Sequence, residues 1–566
     1  MMKKSLSNKI WNKKNETQQY SSNKSLYENF LDLSEQQESD FLSVRFEDFL
    51  SPFDFQDMRK AIDLLEEIIA KKERILIFGD YDLDGMSGTA VLFLALKMLG
   101  ANVSYRLPSR ADGYGLSQKF IDEAHEKNVK LFITTDCGVS NVAEVQKARD
   151  LGMNVIITDH HSVRDELPNA NAILHPLVPN EPFVDKDLTG AGVAWYFARA
   201  MLQNRFGAEK TKTSEIELLE IALLGTIADC GILKGENRKI VILGLEKLKS
   251  TKNKGLLELM SVSRSDINNL TAETIAFFIA PRLNASGRLA HPTLSLELLL
   301  GNKERAYDLE RLNKERQELV SIFLAEADEQ VTGENENNQQ QNATILVKSD
   351  QWPGGVIGLI SGRLAEQYAR PTIAFEITPD KITGSCRGPV GFNIATTLKE
   401  IEKEFPKYFY GCGGHAQAAG LSLYPEYFEN FCEEFNARVE AKRGKIPPSP
   451  ELTYLSDITA NFTVLNIKEL EKAQPFGIGN PAPCFLFSNC TIVTSRTVGK
   501  DKSHLSLLLK SNISGQNNLS AIWFRGGEFE MLLPANTKID ILAIPKVNEW
   551  NGQENISLQV VDVRIV

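Results

Sequence analysis

The chain has 566 residues, 42% of them hydrophobic and 24% charged, and its 63 basic and 74 acidic side chains give a formal net charge of −11. At this length a single hydrophobic core is excluded, because cores stop growing at about 250–300 residues and longer chains divide into domains. The acidic balance excludes binding of duplex DNA through bulk charge, so a nucleic acid would have to use a local basic groove.

An α/β pattern fills the first organised part of the chain. Residues 1–45 are a polar N-terminal extension, and an α/β domain is expected over 46–235. Its strands are predicted at Arg74–Gly79, Val103–Leu107, Lys130–Thr135 and Asn154–Thr158. Helical patterns separate these strands, and such strand–helix–strand repeats predict a parallel sheet covered on both faces.

Three further segments are expected after the first domain. A helical connector is predicted over 236–332, a second α/β domain over 343–443 and a small all-β barrel over 451–566. The polar tract Gly333–Asn342 separates the connector from the second domain, and the proline-rich run Arg443–Pro450 precedes the barrel. Short alternating strands between Asn and Gly turns predict the barrel.

Carboxylates follow the ends of the predicted strands of the first domain. The segment Asp80–Gly85, DYDLDG, follows the first strand, Asp136 ends the third, and the triplet Asp159–His161 ends the fourth. Asp229 ends a later apolar segment and could complete the set. Because ligands bind beyond the carboxyl ends of the strands in an open parallel sheet, we expect these groups to converge.

Such a cluster needs a counter-charge. Two unit charges 4 Å apart repel by about 4 kcal/mol at an effective dielectric near 20, so four or five carboxylates cannot all stay ionised and unpaired. No Lys or Arg lies inside the three motifs, and oxygen ligands with one or two imidazoles favour Mn²⁺ or Mg²⁺. Two such ions activate water and stabilise a phosphoryl displacement, so the predicted reaction is phosphoester hydrolysis.

The acidic motif does not fit two common types of ligand-binding loop. A calcium-binding EF-hand loop counted from Asp80 requires Glu at its twelfth position, where the chain has Val91. No G-x-x-x-x-G-K-[ST] motif is present, which argues against a phosphate-binding P-loop.

The motifs together resemble those of a known superfamily. DYDLDG, TTDCG, DHH and LGTIADC, in this order and spacing, are similar to the four motifs of the DHH phosphoesterases. The downstream segments PRLNASGRL, LNKERQ, GVIG, GCGGH and QPFGIGNP are typical of the RecJ branch, and the resemblance covers residues 46–566. It implies a single-strand-specific DNA exonuclease that works 5′→3′, releases mononucleotides with Mn²⁺ or Mg²⁺ and serves DNA repair and recombination.

The resemblance also implies roles in a two-ion centre. The metal ligands it implies are Asp82, Asp84, Asp136, His160 and Asp229. Asp136 would bridge the two ions, and Asp80 would be a ligand or a support for the ligands. His161 would face the scissile phosphate as a hydrogen-bond donor or general acid. Cys137 and Cys230, which each follow a ligand, are expected to be small buried packing residues.

Substrate contacts are expected from three parts of the chain. In the second α/β domain the candidates are Gly413, Gly414, His415 and Arg387, through backbone N–H groups, a ring donor and a guanidinium. Asn284 and Arg288 come from the connector, although Arg288 could instead form an interdomain salt bridge. Arg110 and Tyr114 follow the second strand and could hold a phosphate and stack a base.

Two segments complicate recognition of the strand end. Pro353 stands where RecJ proteins often carry a histidine, and the basic loop has the altered sequence Cys386–Pro389.

The barrel mixes aromatic and basic residues as a single-strand-binding OB-fold does. Most of its rings are expected to be buried, which leaves Arg496, Lys500 and Lys502 as the candidate DNA contacts.

Two alternative functions stay open from the sequence. One is a DHH phosphodiesterase for short oligonucleotides or cyclic dinucleotides, which would not need the barrel. The second is a non-catalytic replication scaffold associated with a helicase, which the intact ligand positions disfavour. A superfamily pyrophosphatase is discounted, because Phe78 stands where those enzymes have a histidine.

The partners and location are predicted from the same features. The protein is expected to be a monomer that binds single-stranded DNA. A single-strand-binding protein and a helicase are its candidate protein partners. No apolar run reaches membrane length and no secretory signal is visible, which predicts a cytoplasmic protein without membrane contact. Seven cysteines without a Cys-x-x-Cys pair argue against a disulfide framework and a thiolate zinc site.

Overall fold

The computed structural model describes residues 5–7, 9–14, 35–113, 115–164, 166–333, 342–443, 451–458, 462–499, 502–510, 518–550 and 552–566. The chain divides into two compact units. The larger comprises Arg45–Pro447 with Gly477–Gly479, and the smaller comprises Met1–Val44, Pro448–Phe476 and Asn480–Val566. Within the described ranges, every helix is too short or too polar to cross a membrane.

Two short elements of the smaller unit begin the described chain, a strand β1 (Ile10–Lys13) and a helix α1 (Glu35–Leu42). The first α/β domain follows in the larger unit. Its helices are α2 (Met58–Ala70), α3 (Leu83–Met98), α4 (Gln118–Glu126), α5 (Val142–Asp150), α6 (Gly190–Phe206) and α7 (Ala208–Ala228). Its strands are β2 (Arg74–Gly79), β3 (Asn102–Arg106), β4 (Val129–Thr135), β5 (Asn154–Thr158) and β6 (Ala172–Leu174).

The five strands form one parallel sheet in the order β3-β2-β4-β5-β6. The central strand β4 is buried along almost its whole length, as expected of a strand whose two faces are both covered. Helix α3 is apolar on all sides and packs on α6 and α7, so it is an interior helix. All strands end at the same edge, which confirms the predicted parallel α/β domain.

The connector consists of helices only. They are α8 (Gly235–Lys249), α9 (Lys254–Ser263), α10 (Ala272–Thr274), α11 (Ala280–Leu289), α12 (Thr293–Leu299) and α13 (Arg305–Thr332). A π-helical turn, Ile275–Ile279, joins α10 to α11. Helix α11 contacts α13 in the connector and α14 (Gly354–Tyr368) in the second domain, so it lies between the two α/β domains.

The second α/β domain has a mixed sheet. Its remaining elements are β7 (Ile345–Ser349), β8 (Thr372–Ile377), β9 (Ile382–Arg387), α15 (Ile394–Glu404), β10 (Phe409–Gly414), β11 (Ala418–Leu423) and α16 (Phe428–Arg443). The strand order is β10-β11-β9-β8-β7, with β7 and β8 parallel and the other pairs antiparallel.

The smaller unit contains a closed five-stranded barrel in the order β13-β14-β15-β17-β16. Its elements are β12 (Glu451–Tyr454), α17 (Val464–Glu471), β13 (Phe485–Val498), β14 (His504–Lys510), β15 (Asn518–Trp523), β16 (Lys538–Trp550) and β17 (Gln553–Ile565). The predicted barrel is confirmed. Most of its rings are buried as expected, but Phe524 is 52% exposed.

Part of the N-terminal extension packs in the same unit. Strand β1 pairs in parallel with β12. The indole of Trp11 is buried and donates to an oxygen of Asp562 at 2.7 Å, and Ser7 donates to the other oxygen at 2.6 Å. The buried ring of Trp11 and the two hydrogen bonds to Asp562 attach this stretch to strand β17 of the barrel.

Candidate active site

The loop between β2 and α3 presents three carboxylates. Asp82 is the N-cap of α3, and its Oδ1 accepts hydrogen bonds from the N–H groups of Asp84 at 3.0 Å and Gly85 at 3.1 Å. A Cβ on Gly85 would lie 2.6 Å from the nitrogen of Asp80, so only glycine permits this closed turn. Asp80 is buried, and burial together with the Asp82 charge raises its pKa to about 8.

Asp84 points from the first turn of α3 to the N-terminus of α6. Its carboxylate oxygens accept hydrogen bonds from the N–H groups of Gly190 at 2.7 Å and Ala191 at 2.9 Å. Burial, followed by the charge of Asp82, nevertheless raises the pKa of Asp84 to about 7. The site therefore holds this carboxyl group rigidly without supplying a full counter-charge.

Asp136 lies at the end of β4 in an unusual backbone conformation. Its φ of 60° is in the left-handed region, which costs energy for a residue with a side chain. A Cβ on Gly190 would lie 2.6 Å from Cβ of Asp136, so the helix N-terminus approaches closely only because that position is glycine. Burial, and then the charges of the surrounding carboxylates with Asp84 first, raise the pKa of Asp136 well above its usual value.

His160 lies among three of these carboxylates. Its Nε2 is 3.1 Å from Oδ1 of Asp136 and 3.7 Å from Oδ2 of both Asp84 and Asp229. Burial, followed by the charge of His161, lowers the pKa of His160 to about 3, so its ring is neutral. A neutral imidazole can give a lone pair to a metal ion, and its buried Nε2 has no hydrogen-bond partner.

Asp229 and Asp159 complete the site in different ways. Asp229 is the C-cap of α7, and burial, followed by the charge of Asp84, raises its pKa to about 8. Asp159 accepts from Nδ1 of His161 at 2.8 Å and from the backbone N–H of Val139 at 2.9 Å. Burial opposes protonation of His161, but the hydrogen bond and charge of Asp159 outweigh it and raise the pKa to about 9.

The predicted ligands therefore meet at one place. Three groups of side chains each bring one ligand atom per residue within 4.8 Å of one another. The groups are Asp80 with Asp82 and Asp136, Asp84 with His160 and Asp229, and Asp136 with His160 and His161. The buried oxygen Oδ1 of Asp80 and the buried Nε2 of His160 have no hydrogen-bond partner. This donor set of carboxylates and imidazoles fits hard divalent cations.

A cluster of arginines adjoins the acidic loop. Its members are Arg110, Arg288, Arg316 and Arg387. Burial, followed by the charges of the other three arginines, lowers the pKa of Arg288 to about 9, while nearby Asp82 opposes the shift. Burial also lowers the pKa of Arg316 and Arg387. Since guanidinium groups stay charged in proteins, this arginine cluster has the charge and the donors that an anion such as phosphate needs.

Backbone contacts hold the arginine cluster in place. Arg110 donates to the carbonyl of Gly287 at 2.9 Å and lies over the ring of Tyr81. Arg288 donates to the carbonyl of Gly355 at 3.0 Å, which ties the connector to the second domain. This bond is an interdomain contact, but it is not the salt bridge considered from the sequence.

The glycine-rich segment of the second domain is a tight hairpin between β10 and β11. The N–H of His415 donates to the carbonyl of Ala418 at 2.7 Å, and Gly413 pairs with Gly420 across the ladder. The hairpin brings the ring of His415 against that of His161, with ring centroids 5.7 Å apart. The DHH triplet and the GCGGH segment are therefore in contact.

Three more of the predicted substrate-binding residues, and one predicted DNA contact of the barrel, remain to be placed. Oδ1 of Asn284 accepts from the N–H of Leu83 at 2.9 Å, so its structural contact is with the acidic loop. Gly414 ends β10, opposite Ala419. Tyr114 and Lys500 lie outside the described residues.

The prediction that both cysteines of the metal motifs are buried is confirmed for Cys137 and wrong for Cys230. Cys137 is buried, but Cys230 is exposed. Cys230 follows the last turn of α7 with a φ of 58°, and this left-handed residue turns the chain outward. Arg282 pairs with Glu310 at 2.6 Å, so that arginine forms a salt bridge within the connector.

Sequence reasoning missed several supporting groups. The N–H groups of Gly190 and Ala191 carry no side-chain signal, although a Gly-Ala-Gly helix start is a weak one. His175 is buried, with Nε2 2.9 Å from the carbonyl of His161 and Nδ1 accepting from the N–H of Leu177. It directly follows β6, so the strand-end argument that selected the aspartates also applies to it.

Comparisons with known proteins agree with this architecture. Residues 74–226 match the DHH family, N-terminal domain; residues 340–441 match the DHHA1 domain; and residues 456–562 match the RecJ OB domain. The single-stranded-DNA-specific exonuclease RecJ of Haemophilus influenzae is 34% identical over 532 residues, which cover 90% of this chain and 91% of that protein. The chain belongs to the RecJ family.

Other RecJ proteins extend the comparison. The single-stranded-DNA-specific exonuclease RecJ of Bacillus subtilis is 34% identical over 537 residues, or 93% of this chain, but the match spans only 65% of that longer protein. The crystal structure of Thermus thermophilus RecJ with Mn²⁺ matches 93% of this chain and 74% of its own, with a TM-score of 0.76 and 29% identity. The same protein with Mg²⁺ gives a TM-score of 0.70 at 27% identity.

Proposed function

We propose that this chain is a metal-dependent exonuclease that degrades single-stranded DNA from its 5′ end to 5′-mononucleotides in DNA repair and recombination. The observation that carries the proposal is the adjacency of a carboxylate–imidazole cluster and an arginine cluster, with Arg110 over the ring of Tyr81 in the acidic loop. The first suits two divalent cations, and the second suits a phosphate. The names of the RecJ relatives, and the Mn²⁺ and Mg²⁺ in the Thermus structures, support the same chemistry.

The family resemblance and the grouping of the side chains support one set of residues for the two cations. The ions, Mn²⁺ or Mg²⁺, would be held by Asp82, Asp84, Asp136, His160 and Asp229. Asp136 belongs to two of the three ligand groups, which is the arrangement a bridging carboxylate requires. Asp80 has a buried oxygen directed into the same groups and serves as a further ligand or a support. When bound, two such ions lower the pKa of water and stabilise both oxygens of a phosphoryl displacement.

The arginine cluster explains the choice of a strand end. A terminal phosphate carries more negative charge than an internal phosphodiester, so four guanidinium groups would bind it more strongly. Arg110, Arg288 and Arg387 come from three different segments, so together they define one fixed anchoring point. A strand anchored there places its first phosphodiester at the neighbouring acidic loop, which would release one nucleotide per cut.

Two histidines would assist at the phosphate. Asp159 fixes the ring of His161 through Nδ1 and keeps it protonated, so His161 can donate a hydrogen bond to a phosphate oxygen or a proton to the leaving group. His415 lies against it from the second domain, on the hairpin that contains Gly413 and Gly414. The two domains together would therefore supply the donors at the phosphate.

A product assay tests the proposal. Single-stranded DNA labelled at the 5′ or the 3′ end is digested with Mn²⁺, beside duplex DNA and a cyclic dinucleotide. We expect immediate release of labelled mononucleotide from the 5′ end, gradual shortening of the 3′-labelled strand and no attack on the duplex. Preferential hydrolysis of the cyclic dinucleotide would instead assign the site to a small-molecule phosphodiesterase. An inactive wild type that binds a helicase would support a scaffold.

The remaining biological assignments are proposals from the sequence. We propose that the protein is a monomer, that it is located in the cytoplasm, and that its candidate partners are a single-strand-binding protein and a helicase. Mass measurement in solution tests the first, and affinity capture with each purified protein tests the others.

A further inference from the structure

Two neighbouring phenylalanines of the connector are exposed to solvent. Phe277 is 70% exposed and Phe278 is 50% exposed, and both lie in the π-helical turn Ile275–Ile279 before α11. Adjacent exposed rings of this size are uncommon on a protein that binds nothing there, and π-helical turns often occur at functional positions.

The helix that follows carries two residues of the candidate active site. Asn284 and Arg288 lie seven and eleven residues after Phe277 in one run of helical turns. At the α-helical repeat these spacings correspond to the same side of the helix, and the wider π-helical turn Ile275–Ile279 rotates Phe277 by part of a turn from that line. Arg288 belongs to the arginine cluster, and Asn284 contacts the acidic loop at Leu83. At about 1.5 Å per residue, Phe277 lies roughly 10 Å beyond Asn284 along the helix.

Phe278 is turned to a different side. The residue one turn after it is Arg282, which donates to the carbonyl of Phe278 at 2.6 Å and pairs with Glu310. That side of the helix is therefore engaged in contacts within the connector. The two rings differ in direction although they are adjacent in sequence.

We propose that Phe277 is a stacking platform for a base of single-stranded DNA on the 3′ side of the scissile phosphate. The inference rests on the proposed function, because it uses the same anchored strand. The order along the helix is Arg288 for the terminal phosphate, Asn284 beside the acidic loop, and then Phe277. Along a bound strand from its 5′ end, this is the order of the terminal phosphate, the scissile phosphodiester and the base on its 3′ side. An aromatic ring accepts any base, as a non-specific exonuclease requires.

The test compares Phe277→Ala with Phe278→Ala, a matched control that removes an equally large exposed ring from the adjacent position. Steady-state kinetics are measured on a 5′-phosphorylated 12-mer and on a dinucleotide, which is too short to reach Phe277. We expect Phe277→Ala to raise KM for the 12-mer about tenfold, with kcat and dinucleotide hydrolysis unchanged. Phe277→Trp should restore the wild-type KM, and Phe278→Ala should match the wild type throughout.

A substrate with one abasic site locates the contact. The wild type should lose about tenfold in KM when the abasic site occupies one particular position within the first few nucleotides, and Phe277→Ala should not respond to it. Equal KM values for wild type and Phe277→Ala on the 12-mer would overturn the inference and leave the proposed function standing. Equal losses in both Ala variants, or a loss on the dinucleotide, would also overturn it. A wild type that digests no single strand would overturn the proposed function itself.

Discussion

The acidic cluster and the arginine cluster are built on the same principle with opposite signs. Around Asp136, burial and like charges raise the pKa of carboxyl groups, whereas around Arg288 burial and like charges lower the pKa of a guanidinium. Neither cluster contains enough opposite charge to neutralise its own. The difference lies in what completes it, since the carboxylates need cations and the guanidinium groups need the phosphate of a substrate.

The two clusters also differ in how the fold supports them. The carboxylates stand at strand and helix ends within one domain, where backbone N–H groups such as that of Gly190 fix them. The arginines come from three segments, and Arg288 joins two of them through the carbonyl of Gly355. We therefore expect the metal site to be rigid in the free protein and the phosphate site to depend on how the second domain closes.

The largest effect is expected for Asp136→Asn. This isosteric change tolerates the left-handed backbone but removes the charge shared by two ligand groups, so activity should fall by about 10³-fold or more. Without metal the same change removes a buried like charge, and the melting temperature should rise by about 2–4 °C. Activity with Mn²⁺ and calorimetry with EDTA check both. A variant that is fully active, or less stable than wild type in EDTA, would contradict the comparison.

Gly190→Ala should have the next largest effect. The new Cβ would lie 2.6 Å from Cβ of Asp136, so the carboxylate must move, and a shift of about 1 Å costs roughly 10²-fold in rate. Gly362→Ala is a matched control in a helix, since its Cβ would approach only Arg387, at 3.9 Å. Measured kcat on the same oligonucleotide checks the pair. Equal rates in the two variants would show that Asp136 does not depend on this close approach.

Arg288→Gln should weaken the binding of the 5′-terminal phosphate of the DNA strand. Loss of one charged contact to a terminal phosphate costs roughly 10–100-fold, so kcat/KM should fall by that factor on a 5′-phosphorylated oligonucleotide. On the same oligonucleotide with a 5′-hydroxyl the loss should be several times smaller. Arg282→Gln is the control, because Arg282 pairs with Glu310. An equal loss on both substrates would place Arg288 outside terminal recognition.

Removal of metal should lower the stability of the folded protein and is the smallest of the effects expected here. A ligand that binds only the folded state stabilises it by about 2.7 kcal/mol at one hundred times its dissociation constant, so Mn²⁺ should raise the melting temperature by several degrees. The Asp136→Asn protein should show little of this rise. A shift of the same size in both proteins would indicate metal binding elsewhere.

Much of the acidic site could be predicted from sequence, because Asp80 and Asp136 directly follow apolar runs that become parallel strands. The backbone donors to Asp84 could not be predicted, since an N–H group has no residue type. The convergence of Arg110 with Arg387 depends on packing between domains, which leaves no local pattern.

Anomalous diffraction from crystals soaked in Mn²⁺ tests the central claim most directly. The account predicts two manganese peaks about 3.5–4 Å apart, with a carboxylate oxygen of Asp136 next to both. A single peak, or two peaks that do not share Asp136, would contradict it.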